Sequence, residues 1–253
     1  MSITGIASAR HKLARAEHHI ADLEQGVRSF ADANPIEIHA LWKPSATHRG
    51  ELDCEVIALT EPADVPEVWS LITGDALTCL RATLDHAVYP HARQFPTFAS
   101  RTKPGGGANT FKEIYSPAVT EIIESSQPYH SEVPHHDPIA VLAALVNMDK
   151  HRQLLVTNGF TTQVLIMQPK GYEITNQEPQ RGENLAKGDV IFKYRIRPTG
   201  VGDVKFEYHR HLLTEPVIDI PETDGYRPLV PLLKDIHTRV GDILDQLTVA
   251  GLP

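Results

Sequence analysis

The fold of this chain is decided by the stretch Gly74–His86, which reads GDALTCLRATLDH. At about 100° per residue, a helix built from it carries a narrow apolar stripe, whose members are Leu77, Leu80, Leu84 and Val88. The opposite side carries small apolar residues. The pattern predicts a helix over residues 66–89 at the centre of a bundle, contacted on both faces.

Three ionisable residues at the end of this stretch take different positions relative to the stripe. Arg81 lies at its border, and Asp85 follows four residues later, within reach of an i,i+4 ion pair. His86 falls on the opposite side and is expected to be at least partly buried. Because charge among apolar side chains is costly unless it is paired, the cluster indicates an ion-pair network or a reaction site.

A second charged cluster, Asn147–Arg152, reads NMDKHR. It is expected near the end of a helix over residues 137–157, which opens with an Asp N-cap and a Pro at the first helical position. Asp149 falls on the apolar stripe of this helix and therefore needs a cation. Arg152 is expected beside the same stripe, and His151 at the exposed flank.

The two clusters together predict an ion pair between helices. Two pairings are open, Arg81–Asp149 and Asp85–Arg152, and either would join an acid on one helix to an arginine on the other. Such a pair would fix the helix register without any chemistry. In this interpretation the chain is a non-catalytic binding or interaction protein, and both clusters are scaffolding.

The remaining pattern predicts a single integrated α+β domain over residues 1–253, with about five helices in a bundle and an antiparallel sheet packed against it. The helix-rich part covers 1–158 and includes a β-hairpin at 36–59, the strand-rich part covers 159–220, and a C-terminal helix covers 229–247. The other predicted elements are helices over 8–31 and 111–125, and strands over 163–168, 190–197 and 204–213.

Composition excludes several classes of function. The chain has 253 residues and a formal net charge of −8 at pH 7, without the long basic run that non-specific nucleic-acid binding uses. It lacks an apolar run of the ~20 residues that a membrane span needs, and its first residues lack a signal-peptide block, so a cytoplasmic protein without a membrane partner is predicted. Cys54 and Cys79 form neither a disulfide framework nor a zinc-ligand pattern. No nucleotide fingerprint is present, and no cofactor is predicted.

Three parts of the sequence resemble a pattern that recurs in bacterial proteins without an assigned function. They are Gly74-Asp75 with Leu80-Arg81 and Leu84-Asp85-His86, then Gln127-Pro128-Tyr129, then Asn147 with Asp149-Lys150-His151-Arg152. The resemblance covers most of residues 65–155. It implies a shared architecture and no particular chemistry.

The segment Arg81–His86 also resembles the HEPN superfamily of helical-bundle ribonucleases, whose hallmark is an Arg followed a few residues later by a His. The resemblance implies a metal-independent endoribonuclease, usually dimeric, with RNA as its partner. His86 would then transfer protons or activate a 2′-hydroxyl, and Arg81 would stabilise the phosphate. Supporting roles would fall to Asp85, Asp149, His151 and Arg152. The sequence departs from the family at Ala82, where a polar residue often follows the Arg.

A metal-dependent hydrolase or dioxygenase is the third hypothesis. His209 and His211 alternate on a predicted strand, which puts both imidazoles on one face at a spacing that suits a metal. The pairs His135-His136 and His18-His19 could add ligands if the fold brings them together. Finally, the amphipathic first and last helices predict either packing within one chain or the seam of a homodimer.

Overall fold

The computed structural model describes residues 4–89, 91–100, 114–161, 172–179, 182–183, 186–199, 213–221, 223 and 225–252. Within them, helices and antiparallel strand pairs both occur, so the predicted α+β class is confirmed. The predicted strand over 163–168 and all but the last residue of the one over 204–213 lie outside the described residues. Among the described helices, none combines the length and the apolar composition needed to cross a bilayer.

The described elements run along the chain as follows. The helices are α1 (Gly5–Ala33), α2 (Val68–Val88), α3 (Pro117–Ser125), α4 (Pro138–Asp149) and α5 (Leu229–Val249). The strands are β1 (Ile38–Pro44), β2 (Leu52–Ala58), β3 (Val156–Thr161), β4 (Tyr172–Pro179), β5 (Gly182–Glu183), β6 (Val190–Pro198), β7 (Leu213–Asp219) and β8 (Tyr226–Pro228).

The chain divides into two compact units. The helical unit comprises Met1–Gly26, Pro66–Val156 and Ile218–Pro253, and the sheet unit comprises Val27–Val65 and Thr157–Val217. In the helical unit, α2 packs against both α4 and α5. The predicted apolar stripe of α2 is fully buried, as is the matching stripe of α5, which consists of Leu233, Ile236, Val240, Ile243 and Leu247.

Helix α4 begins as predicted but ends earlier. The Asp137 side chain accepts a hydrogen bond from the Ile139 backbone N–H at 2.9 Å, with Pro at the first helical position. The predicted continuation to about residue 157 is wrong, because the chain turns after Asp149 and enters β3 at Val156. The segment ahead includes Asn-Gly and β-branched residues, which favour turns and strands over helix. Helix α3 likewise begins at Pro117, capped by the preceding Ser, rather than near residue 111.

In the sheet unit, the described strands β1, β2, β6 and β4 form one antiparallel sheet in that order. The predicted hairpin is confirmed, with β1 and β2 paired from Ile38 opposite Ala58 to Pro44 opposite Leu52. One face is apolar because alternate residues of each strand point the same way, and its buried members are Cys54, Val56, Ala58, Phe192, Tyr194 and Ile196. A second sheet has the order β5-β3-β7-β8.

Candidate functional site

Arg81 and Asp85 pair with each other along α2. The Arg81 Nη2 atom lies 3.0 Å from Asp85 Oδ1, and Arg81 Nε donates to Asp85 Oδ2 at 3.3 Å. Only 18% of the Arg81 side chain and 22% of the Asp85 side chain are exposed. A planar guanidinium matched to a carboxylate in this way is among the stronger charge pairs, and the i,i+4 spacing brings the partners together at little conformational cost.

The same pair holds the backbone of the segment that follows α2. Arg81 Nη2 donates to the Phe95 carbonyl at 2.8 Å, and Arg81 Nη1 donates to Thr97 Oγ1 at 3.2 Å. Asp85 Oδ1 accepts from the Phe95 N–H at 2.9 Å. Every nitrogen of the guanidinium therefore has a partner within the chain. We call Arg81, Asp85, Phe95 and Thr97 the α2 clamp.

A buried glutamine holds the other side of this segment. Gln127 is 1% exposed, and its Nε2 donates to the Pro96 carbonyl at 3.1 Å and to the Ile123 carbonyl at 2.8 Å. Its Oε1 accepts from the Phe98 N–H at 3.0 Å. Residues 95–98 are thus fixed by side chains from two directions, which satisfies backbone groups that burial would otherwise leave unpaired.

The clamp corrects the predicted ion pairs between helices. Neither Arg81–Asp149 nor Asp85–Arg152 forms, because Arg81 and Asp85 satisfy each other on the same helix. Both residues are nevertheless paired rather than free, as the cost of burying charge requires. In this arrangement, two of the predicted catalytic residues, Arg81 and Asp85, hold the fold of their own chain.

His86 lies on a different side of α2 from Arg81. Its Nδ1 atom is 2.8 Å from the Ser8 hydroxyl of α1, and its side chain is half-buried, as predicted. His86 follows Arg81 by five positions, which places the two side chains about 140° apart around the helix. Arg81 therefore reaches the segment after α2 while His86 reaches α1. The structure does not bring these two side chains to one point within the chain.

Asp149 lies against the backbone of α2 at Gly74. A Cβ atom added to Gly74 would lie 2.8 Å from Asp149 Oδ2 and 2.9 Å from Oδ1, a distance that side-chain atoms do not tolerate. Burial and the nearby charge of Asp75 raise the pKa of Asp149. Among the described residues, no hydrogen bond or ion pair satisfies the Asp149 carboxylate. It is half-buried and close to a second acid, and no cation from the described part of the chain pairs with it.

The three residues after Asp149 form a turn whose side chains are exposed. The backbone N–H groups of Lys150, His151 and Arg152 return to carbonyls of the last turn of α4. His151 is at the exposed flank as predicted, but Arg152 is not beside the apolar stripe, because the helix has already ended. In the described part of the chain, these three side chains make no ion pair. They form a small basic group beside two acids.

The first half of α2 exposes apolar side chains next to these charges. Val68 and Leu71 are 51% and 62% exposed, and Leu155 is 59% exposed. The chain from 149 to 153 runs alongside α2, since Asp149 contacts Gly74 and the Gln153 amide reaches the Glu67 carboxylate at 3.5 Å. We call Val68, Leu71 and Leu155 the α2 strip. The prediction that α2 is covered on both faces fails here.

The charged face of the sheet unit is internally paired. Arg195 lies 2.6 Å from Asp53, and Arg197 lies 2.6 Å from the buried Glu51. These hydrogen bonds hold the pKa of Glu51 and the pKa of Asp53 below their ordinary values. A shallow cleft of about 180 Å³ opens on this face. Since its acids and bases neutralise each other, it offers a ligand little net charge.

The histidines considered as metal ligands do not form a site in the described part of the chain. There, no group of three or more His, Cys, Asp or Glu side chains is placed to hold a metal ion. His209 and His211 lie outside the described residues. His18 is an exposed partner of Asp22 at 3.4 Å on α1, and His135 and His136 are both exposed on a short turn ahead of α4.

Several residues that define these sites were missed by the sequence predictions. Nothing in the sequence around Ser8 signals that it meets His86, because the contact joins positions far apart in the chain. The contacts of Gln127 and of the Phe95 backbone likewise join positions far apart in the chain and depend on tertiary structure.

Comparison of the chain with models of protein families, with curated proteins and with solved structures finds no match. The function therefore has to be inferred from the contacts described above.

Proposed function

We propose that this chain is a non-catalytic interaction protein, in which the α2 clamp is architecture and the α2 strip with its flanking charges is the contact surface. The observation that carries the proposal is the contrast in partners between the two charged clusters. In the clamp, each nitrogen of Arg81 and both carboxylate oxygens of Asp85 bind groups of the same chain. A phosphate could reach Arg81 only by displacing them.

The exposed cluster has the opposite character. Lys150, His151 and Arg152 project into solvent beside Asp75 and an exposed apolar strip. Apolar area rimmed by charge is the usual composition of a protein contact surface, in which burial supplies affinity and charge supplies specificity. An interaction surface needs no reactive group. None of the three basic side chains of this cluster is strained or deeply buried.

A second candidate function is a metal-independent ribonuclease of the HEPN type, and one contact favours it. The Ser8 hydroxyl at 2.8 Å from His86 Nδ1 fixes the orientation of the ring. In the tautomer with Nδ1 protonated, Nε2 is left as the base, the arrangement that acid–base catalysis by histidine requires. The acidic net charge of −8 and the occupied Arg81 weigh against this candidate.

Cleavage of a mixed-sequence RNA in EDTA separates the two. We expect no cleavage by the wild type at neutral pH, because no cation in the α2 clamp is free to stabilise a phosphorane. Cleavage by the wild type that His86→Ala abolishes would overturn the proposal in favour of the ribonuclease. His136→Ala is the matched control, since this exposed histidine lies outside both clusters. Activity lost equally in both variants would indicate a contaminant or a folding defect.

A further inference from the structure

Two large aliphatic side chains are exposed on one face of α2, and a third is exposed on the segment that runs alongside the start of this helix. Val68 and Leu71 are three residues apart on α2 and share a face, and Leu155 lies on the segment that runs alongside. A single exposed aliphatic residue is ordinary, whereas neighbouring exposed aliphatic side chains indicate a contact surface. The strip therefore has the apolar centre that a protein contact needs.

The charges around the strip have both signs and lack partners within the described chain. Asp75 lies one turn beyond Leu71 on the same face of α2, and Asp149 lies beside it. Lys150 and Arg152 follow within the next three residues and are exposed. Acids and bases thus lie on neighbouring segments, and no ion pair within the described part of the chain joins them.

We propose that the α2 strip is a self-association surface, which pairs with the same surface of a second copy of this chain around a two-fold axis. A two-fold interface brings one patch against itself, so the patch must carry both members of each complementary pair. In this dimer Asp75 of each copy faces Lys150 and Arg152 of the other, and the aliphatic side chains meet at the centre. This inference rests on the proposed function, and it specifies a second copy of the chain as the partner.

Other kinds of partner fit the strip less well. A nucleic acid would meet Asp75 and Asp149 as well as the bases, in a chain that already carries a net charge of −8. A basic peptide would be attracted by the two acids and repelled by Lys150 and Arg152. Only a partner with the same mixed pattern in the opposite orientation satisfies both signs, and a second copy supplies it.

Sedimentation velocity over a wide range of protein concentration tests the proposed dimer. The variants reverse the charge at Asp75, at Arg152, and at both positions together. We expect a reversible dimer of the wild type, whose dissociation constant rises at least about tenfold in Asp75→Arg and in Arg152→Asp. The double variant exchanges the two signs and is expected to recover part of the lost affinity. Because Asp75→Arg also gives Asp149 a cation in its own chain, this variant is expected to stay folded, and circular dichroism of each sample checks that it does.

Matched controls are Asp242→Arg on α5 and Arg15→Asp on α1, which change the same charges at exposed positions away from the strip. Neither should alter the dissociation constant by more than about twofold. A wild type that stays monomeric at every concentration would overturn the inference. So would a dimer that survives Leu71→Asp, which would point instead to a seam on α1 and α5. The RNA assay on the same samples reports separately on the proposed function.

Discussion

Two aspartates in the helical unit have opposite surroundings, one of them on α2 and the other against the backbone of α2. Asp85 has an arginine on one side and a backbone N–H on the other, both supplied by its own chain. Asp149 has a glycine backbone against its carboxylate and another acid nearby. The comparison teaches that a partly buried aspartate either stabilises the fold through a partner in its own chain or stays available to a group outside the chain.

The largest effect should come from breaking the α2 clamp. Arg81→Ala leaves the Asp85 carboxylate and the Phe95 carbonyl without their donor, which we expect to lower the free energy of unfolding by about 3 kcal/mol. The measurement is urea denaturation followed by circular dichroism. Arg10→Ala is the control, because its pair with Asp245 is exposed and should contribute less than about 1 kcal/mol. An equal loss in both variants would mean that Asp85 is no better paired than a surface acid.

A second variant sharpens the comparison at Asp149. Gly74→Ala places a methyl group against the carboxylate and should cost about 1 kcal/mol, because overpacking outweighs the gain of Ala over Gly in a helix. In the Asp149→Ala background the obstacle is gone, and the same change should stabilise by about 0.5–1 kcal/mol. The reversal of sign is the informative result. Additive effects would show that the two residues are not in contact.

The smallest effect depends on pH and contrasts Asp149 with Glu51. The pKa of Asp149 is raised above 3.8 in the folded chain, so its ionisation penalises folding once the pH exceeds that value. Asp149→Asn should therefore raise Tm by a few degrees at neutral pH and leave it unchanged in acid below the ordinary pKa. The difference in Tm between Asp149→Asn and the wild type should therefore develop as the pH rises from 3.8 through the raised pKa of Asp149.

Glu51 should behave with the opposite sign. Its pKa is lowered from 4.5 by the Arg197 hydrogen bond, so its stabilisation is complete above that value and disappears as the pH falls through the folded pKa. Glu51→Gln should lower Tm at neutral pH, with a difference that shrinks on acidification. Thermal melts of both variants between neutral and acidic pH make the check. Shifts of the same sign in the two would contradict the assigned surroundings.

The sequence predicted the helices and strands better than it predicted which side chains contact each other. Apolar periodicity placed α2 and α5 because local spacing alone determines which side of a helix is apolar. The i,i+4 pairing of Arg81 and Asp85 was recognisable for the same reason. The end of α4 was missed, because the turn after Asp149 depends on hydrogen bonds back to the helix and on the strand that follows. The Ser8–His86 contact and the open side of α2 depend on how whole helices pack, which no local pattern encodes.

The contact between Gly74 and Asp149 also constrains how this sequence can diverge. Alanine at position 74 is unfavourable while the carboxylate at position 149 is present and favourable once it has been removed, so the two substitutions have a preferred order. Lineages that keep Asp149 are expected to keep Gly74, and those that lose the acid are free to acquire alanine at 74. We therefore expect positions 74 and 149 to covary among relatives of this chain.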